Sequence, residues 1–124
     1  SLYLSNNVSC VSSGTAALQL ALEACGIKKN DEVLVQSLTY VASFQAISAT
    51  GAIPVACDID DKSLTICLKD AKKKLSNKTK AIMPVHYSGG VGNLKKLYEF
   101  AKKNKLRVIE DAAHAFGTEY NQKK

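Results

Sequence analysis

Arginine is almost missing from this basic chain. Arg107 is the only one among 17 Lys and Arg residues, which outweigh 11 Asp and Glu to give a net charge of +6. Surfaces that read nucleic acid combine arginine forks with exposed aromatics. The lysines instead gather at Lys72-Lys73-Lys74, Lys95-Lys96 and Lys102-Lys103, on what should be outer helix faces. They are read as solvated faces, and no nucleic-acid partner is expected. Long apolar runs are also lacking: none approaches the roughly 20 residues that span a bilayer. Residues 1–7 lack the charged, apolar and small regions of a signal peptide, so a cytoplasmic location away from any membrane is expected. No Cys-x-x-Cys occurs. Cys10, Cys25, Cys57 and Cys67 each sit among apolar neighbours, which predicts reduced core residues instead of a disulfide frame or a zinc site. His86 and His114 have no third ligand at a suggestive spacing, so no metal is expected. Repeats, linkers and low-complexity stretches are absent, and 124 residues suffice for one domain and not two.

Short apolar runs alternate with longer amphipathic ones. Strands are expected at 32–36, 53–58, 80–85 and 107–110, with a weaker candidate at 8–11. Helices are expected at 14–25, 40–50, 68–75 and after Asn93. The first of these is apolar nearly all round, which predicts burial on both sides, and Gly26 is placed to end it in a left-handed conformation. Asn93 can cap the last, whose Leu94, Leu97, Tyr98 and Ala101 share one face opposite lysines. Strands alternating with helices, without two-residue hairpin turns, imply right-handed crossovers and a mostly parallel sheet. Ligands bind such sheets beyond the carboxyl ends of the strands. The search for function therefore narrows to residues 11–15, 37–40, 58–60, 86–90 and 111–114.

Ser12-Ser13-Gly14-Thr15-Ala16-Ala17 joins a strand candidate to a helix, so backbone N–H groups and the helix dipole point to one spot that suits a phosphate. The same residues also make an ordinary helix cap. Neither Gly-x-Gly-x-x-Gly nor Gly-x-x-x-x-Gly-Lys is present, which argues against dinucleotide and Walker-type sites. Asp111 follows apolar Val108-Ile109, with His114 three residues on. In one reading Asp111 caps a short helix and His114 is packed; in the other Asp111 stays ionised against a pyridinium nitrogen. Tyr40, at the mouth of the second strand, either stacks on a flat cofactor ring or is half-buried packing.

Taken in order, these segments resemble the DegT/StrS family of sugar aminotransferases, a branch of the fold-type I enzymes that depend on pyridoxal phosphate. The matching stretches include residues 12–18, Asp31-Glu32-Val33, Thr39-Tyr40-Val41-Ala42, Pro84-Val85-His86-Tyr87, residues 108–115 and Gly117, and they cover essentially the whole chain. The resemblance implies a three-layer αβα fold with a mostly parallel sheet, residues 1–124 being part of the large domain of a fold-type I transferase. It implies that Gly14, Thr15 and Ala16 bind the cofactor phosphate through main-chain N–H groups and that Tyr40 stacks on the pyridine ring. Asp111 would pair with the ring nitrogen, and His114, the candidate catalytic residue, would reach the ring hydroxyl. His86 and Tyr87 would border the site.

The implied reaction moves an amine from an amino acid, commonly glutamate, through pyridoxal phosphate to a nucleotide-linked keto sugar, in cell-surface polysaccharide or related amino-sugar biosynthesis. A homodimer is implied as well. In the family the general base is a lysine beyond the Asp-x-x-His segment; the chain is expected to stop before it and to begin after a further helical segment, as a piece of a longer enzyme. Family members with histidine at the lysine position remove a sugar hydroxyl instead, so a dehydratase remains an alternative, as does a non-catalytic binding fragment.

Overall fold

A computed structural model describes residues 8–121. The elements run α1 (Gly14–Ala24), β1 (Glu32–Gln36), α2 (Val41–Ala49), β2 (Ile53–Cys57), α3 (Leu68–Lys73), β3 (Thr79–Met83), a 3-10 turn (Tyr87–Gly89), α4 (Leu94–Lys103) and β4 (Arg107–Val108). The strands form one sheet in the order β2-β1-β3-β4, and every pairing is parallel. Central β1 shows why helices cover both faces. Its side chains alternate, so Val33 and Val35 join Ala81 and Met83 against Leu18 and Leu22 of α1 and Ala46 and Ile47 of α2. Leu34 joins Ile82 on the other face, against Ala71 of α3 and Leu97 and Ala101 of α4. The expected three-layer arrangement results.

Gly26, at φ +79°, lets the chain leave α1 toward β1. The N–H of Ile27 donates to the carbonyl of Leu22 and that of Gly26 to Glu23, pairing the last carbonyls of the helix. Gly92 is required by space as well as by its φ of +56°: a Cβ there would lie 2.5 Å from the hydroxyl oxygen of Thr65.

Several boundaries move for identifiable reasons. Residues 80–85 were expected to be strand, but β3 ends at Met83, where Pro84 has no N–H to continue the ladder. Only Arg107 and Val108 remain of the fourth strand as such. Beyond it, Ile109 donates to Ile82, Asp111 to Pro84, and His86 back to Asp111, at 2.9–3.1 Å. Pro54 is tolerated within β2 because it points to the outer edge: Ile53 and Cys57 bond inward to Asp31 and Ser37, while the outward carbonyl of Ala56 is taken by the ammonium of Lys74 at 2.7 Å.

Other expectations fail. Residues 8–11 are exposed and form no strand, since no neighbouring strand among the described residues pairs with them. Helix α1 is buried along one side only, at Leu18 and Leu22, with Leu20 51% exposed, because its apolar surroundings lie on the sheet and α2 side alone. Of the four cysteines only Cys57 is in the core; Cys10 is exposed and Cys25 and Cys67 are half-buried, although all four are unbridged. Burial pushes the Cys57 thiol up to about 11, so it stays protonated. Tyr98 does not share the burial of Leu97 and Ala101; its ring is about half exposed and its hydroxyl is occupied elsewhere.

Candidate functional site

Because α1 and α2 each connect to β1 by a short loop, and α1 enters its amino end while α2 leaves its carboxyl end, both helices begin at the carboxyl end of the sheet. The start of α1 is capped by Ser13, whose backbone is extended and whose hydroxyl oxygen accepts the N–H of Ala16 at 3.2 Å. Ala17 donates to the Ser13 carbonyl at 3.0 Å. Ala16, expected to offer its N–H to a phosphate, therefore already has an acceptor. The N–H groups of Gly14 and Thr15 belong to the first turn and have no partner within the helix. Among the described residues, a Cβ built on Gly14 would meet nothing within 4 Å.

Tyr40 occupies the cap position of α2 and makes no side-chain cap bond; its ring is 75% exposed, which overturns the half-buried reading. Asp111 is only 7% exposed. The hydroxyl of Ser43, itself fully buried on α2, donates to its Oδ2 at 2.7 Å. The N–H of Ala113 donates to Oδ1 at 3.3 Å. Among the described residues no helix follows Asp111, so the capping reading of this carboxylate does not hold. His114 is exposed, not packed in a core, and meets the ring of Tyr87 edge-on, with centroids 5.9 Å apart and an interplanar angle of 62°. The structure thus brings Tyr40, Ser43 and Asp111 into one bonded group, places His114 against Tyr87, and sets the α1 turn at the same end of the sheet.

His86 is 3% exposed and does not face outward. Its Nε2 is 2.6 Å from Oε2 of Glu110, whose Oε1 accepts the hydroxyl of Tyr98. Its Nδ1 is buried without a hydrogen-bond partner. The bond from His86 holds the Glu110 carboxyl below its ordinary value against the opposing effect of burial, with the Tyr98 bond adding to it. Burial, and then the Glu110 carboxylate, push the Tyr98 hydroxyl up to about 12, so it remains a donor at any physiological pH. A group whose folded pKa is lowered stabilises the fold above its unfolded value and ceases to do so as pH falls through the folded one. Glu110→Gln is therefore expected to reduce stability by about 1 kcal/mol at pH 7. The gap to wild type should close as the pH falls below 4.5, the ordinary value of the group. Thermal melts of both proteins across that range check this; a gap that stays constant with pH would count against an ionised Glu110 as its source.

A cavity of about 420 Å³ opens on the α3 and α4 side, between Ile66, Cys67, Pro84, His86, Lys96 and Leu97. None of Gly14, Thr15, Tyr40, Asp111 or His114 lines it, so it is separate from the candidate site. Among the described residues no three His, Cys, Asp or Glu side chains gather as a metal site, and no helix is long and apolar enough to cross a membrane.

Sequence reading missed Ser43, Gln36 and the bonds of Glu110. Gln36 is a polar residue ending an apolar strand, which was a usable signal. Fully buried, its amide donates to the carbonyls of Leu38 at 2.8 Å and Leu64 at 3.1 Å and accepts from Val85 at 3.4 Å.

Comparison with known proteins finds a family model described as the DegT/DnrJ/EryC1/StrS aminotransferase family matching residues 3–124. A GDP-perosamine synthase of Escherichia coli O157:H7 is 49% identical over 91% of this chain and 31% of its own length. The structure of S. venezuelae DesV in complex with a ketimine intermediate superposes with a TM-score of 0.89 at 41% identity, over 92% of this chain and 31% of that one. NtdA from Bacillus subtilis with bound cofactor PMP gives 0.79 at 34% identity, over 82% and 23%. The chain spans about a third of the length of the curated relatives it matches.

Proposed function

The chain belongs to the DegT/DnrJ/EryC1/StrS aminotransferase family, and from that premise we propose that it is the cofactor-binding part of a sugar aminotransferase that depends on pyridoxal phosphate. The observation that carries this reading is the buried carboxylate of Asp111, fixed at a strand end by Ser43, whose N–H in turn bonds the carbonyl of the exposed Tyr40. A buried carboxylate held in place but not ion-paired suits a cationic ring nitrogen. The first turn of α1, at Gly14, suits a phosphate.

In this reading the N–H groups of Gly14 and Thr15 hold the phosphate, with Ala16 contributing only if its cap bond loosens. Tyr40 covers one face of the ring, Asp111 keeps a proton on the ring nitrogen, and His114 reaches the ring hydroxyl, oriented by its contact with Tyr87. The chemistry such a cofactor supplies when bound is an electron sink for a carbanion on the substrate. Asp111 serves that chemistry as a carboxyl held in a buried place by Ser43, where water screens it little. The substrates proposed are an amino-acid donor, glutamate, and a nucleotide-linked keto sugar, with GDP as the nucleotide on the strength of relatives named GDP-perosamine synthase. The full-length enzyme is proposed as a cytoplasmic homodimer that makes amino sugars for surface polysaccharide.

The test uses full-length protein, pyridoxal phosphate, nitrogen-15 glutamate and a GDP-linked keto sugar. Mass spectrometry is expected to find the label in the sugar, with one 2-oxoglutarate formed per amine transferred. A sugar that loses a hydroxyl without gaining nitrogen, or is left unchanged, would overturn the proposal.

A further inference from the structure

Ser43 bonds in three directions at once. Its N–H donates to the carbonyl of Tyr40 at 3.2 Å, its hydroxyl donates to Asp111, and its oxygen lies 2.7 Å from the hydroxyl oxygen of Thr39. A hydroxyl has one hydrogen. That of Ser43 is donated to Oδ2 of Asp111, so the hydrogen between the two hydroxyls comes from Thr39. The direction of the chain follows: Thr39 to Ser43 to Asp111.

Building on the proposed function, we infer that this hydroxyl relay is a positioning device joining the residue proposed for the face of the cofactor ring, Tyr40, to the one proposed for its nitrogen, Asp111. Thr39 precedes Tyr40, the cap of α2, and Ser43 lies in the first turn of that helix, while Asp111 arrives 68 residues later in the chain from Ser43. Ala113 holds Oδ1 only at 3.3 Å, so the orientation of the carboxylate rests on the bond to Oδ2. Losing the relay would let Asp111 rotate about its χ2 torsion and would free the α2 turn that carries Tyr40. Thr39 polarises Ser43, strengthening the bond that Ser43 donates. Neither hydroxyl needs to meet the cofactor; both act through Asp111 and Tyr40.

Full-length protein freed of cofactor and titrated with pyridoxal phosphate tests this. Thr39→Val keeps the shape of the side chain and removes only the donor. It is expected to weaken cofactor affinity by up to about tenfold, the upper end of the range for a hydrogen bond between neutral groups. It should also diminish the visible circular dichroism of the bound cofactor, which reports how rigidly the ring is held. Thr39→Ser should restore both, and Ser43→Ala should exceed Thr39→Val in both if it folds. The melting temperature of the cofactor-free protein should barely change in Thr39→Val. Affinity and dichroism equal to wild type in Thr39→Val would overturn the relay while leaving the proposed function standing. A wild-type protein that does not bind pyridoxal phosphate would overturn that function and the relay together.

Discussion

Asp111→Asn in the full-length protein is expected to depress amino transfer by at least about a hundredfold, the scale on which a preorganised electrostatic partner is lost from an active site. The fold should survive. Asparagine has the shape of aspartate, and its amide oxygen can still accept the hydroxyl of Ser43 where Oδ2 does at 2.7 Å. What it lacks is charge, and a neutral amide cannot keep a proton on a pyridine nitrogen. Single-turnover rates with glutamate, set beside far-ultraviolet circular dichroism, separate chemistry from folding. Turnover close to wild type would remove Asp111 from the role assigned to it.

Gln36→Leu is expected to cost about 2–4 kcal/mol of stability, because buried backbone groups lose their partner and each such loss costs about 1–3 kcal/mol. The side chain sits at the carboxyl end of β1 and ties together three loops, through Leu38, Leu64 and Val85. Leucine fills the volume, so the loss arises from hydrogen bonding and not from a cavity. Urea denaturation measures it. A midpoint unchanged from wild type would mean that water replaces Gln36 at no cost. Since Val85 itself bridges to Asp111, the variant should also disturb the strand end that pairs with Asp111.

The layers were legible in the residues because period-2 alternation in β1 and the 3.6 period in α4 are local, and each side chain reports its own face. Strand ends were less so. Pro84 is visible in sequence, but that it ends β3 while the hydrogen bonds resume beyond it depends on where Asp111 lies. The two-sided burial expected of α1 and the core placement of all four cysteines failed for a common reason. Apolar neighbours in sequence need not be neighbours in space, and Leu20 and Cys10 are exposed. At the site, Gly14, Thr15, Ala16, Tyr40, Asp111 and His114 are proposed from the order of motifs along the chain. Ser43 was not, since nothing in the spacing of Thr39 and Ser43 announces a carboxylate 68 residues away.

The outer edge of β2 has a consequence for association. A foreign strand approaching that edge would need a donor at residue 54 and an acceptor at residue 56. Proline supplies no donor, and the Ala56 carbonyl is already bonded to Lys74, which Asp70 holds in place at 2.7 Å. Inserting there would mean displacing an ammonium group and leaving an amide of the newcomer unmatched. A ring and a cation thus weaken this flank as a template for a further strand, a guard against fibrillar stacking.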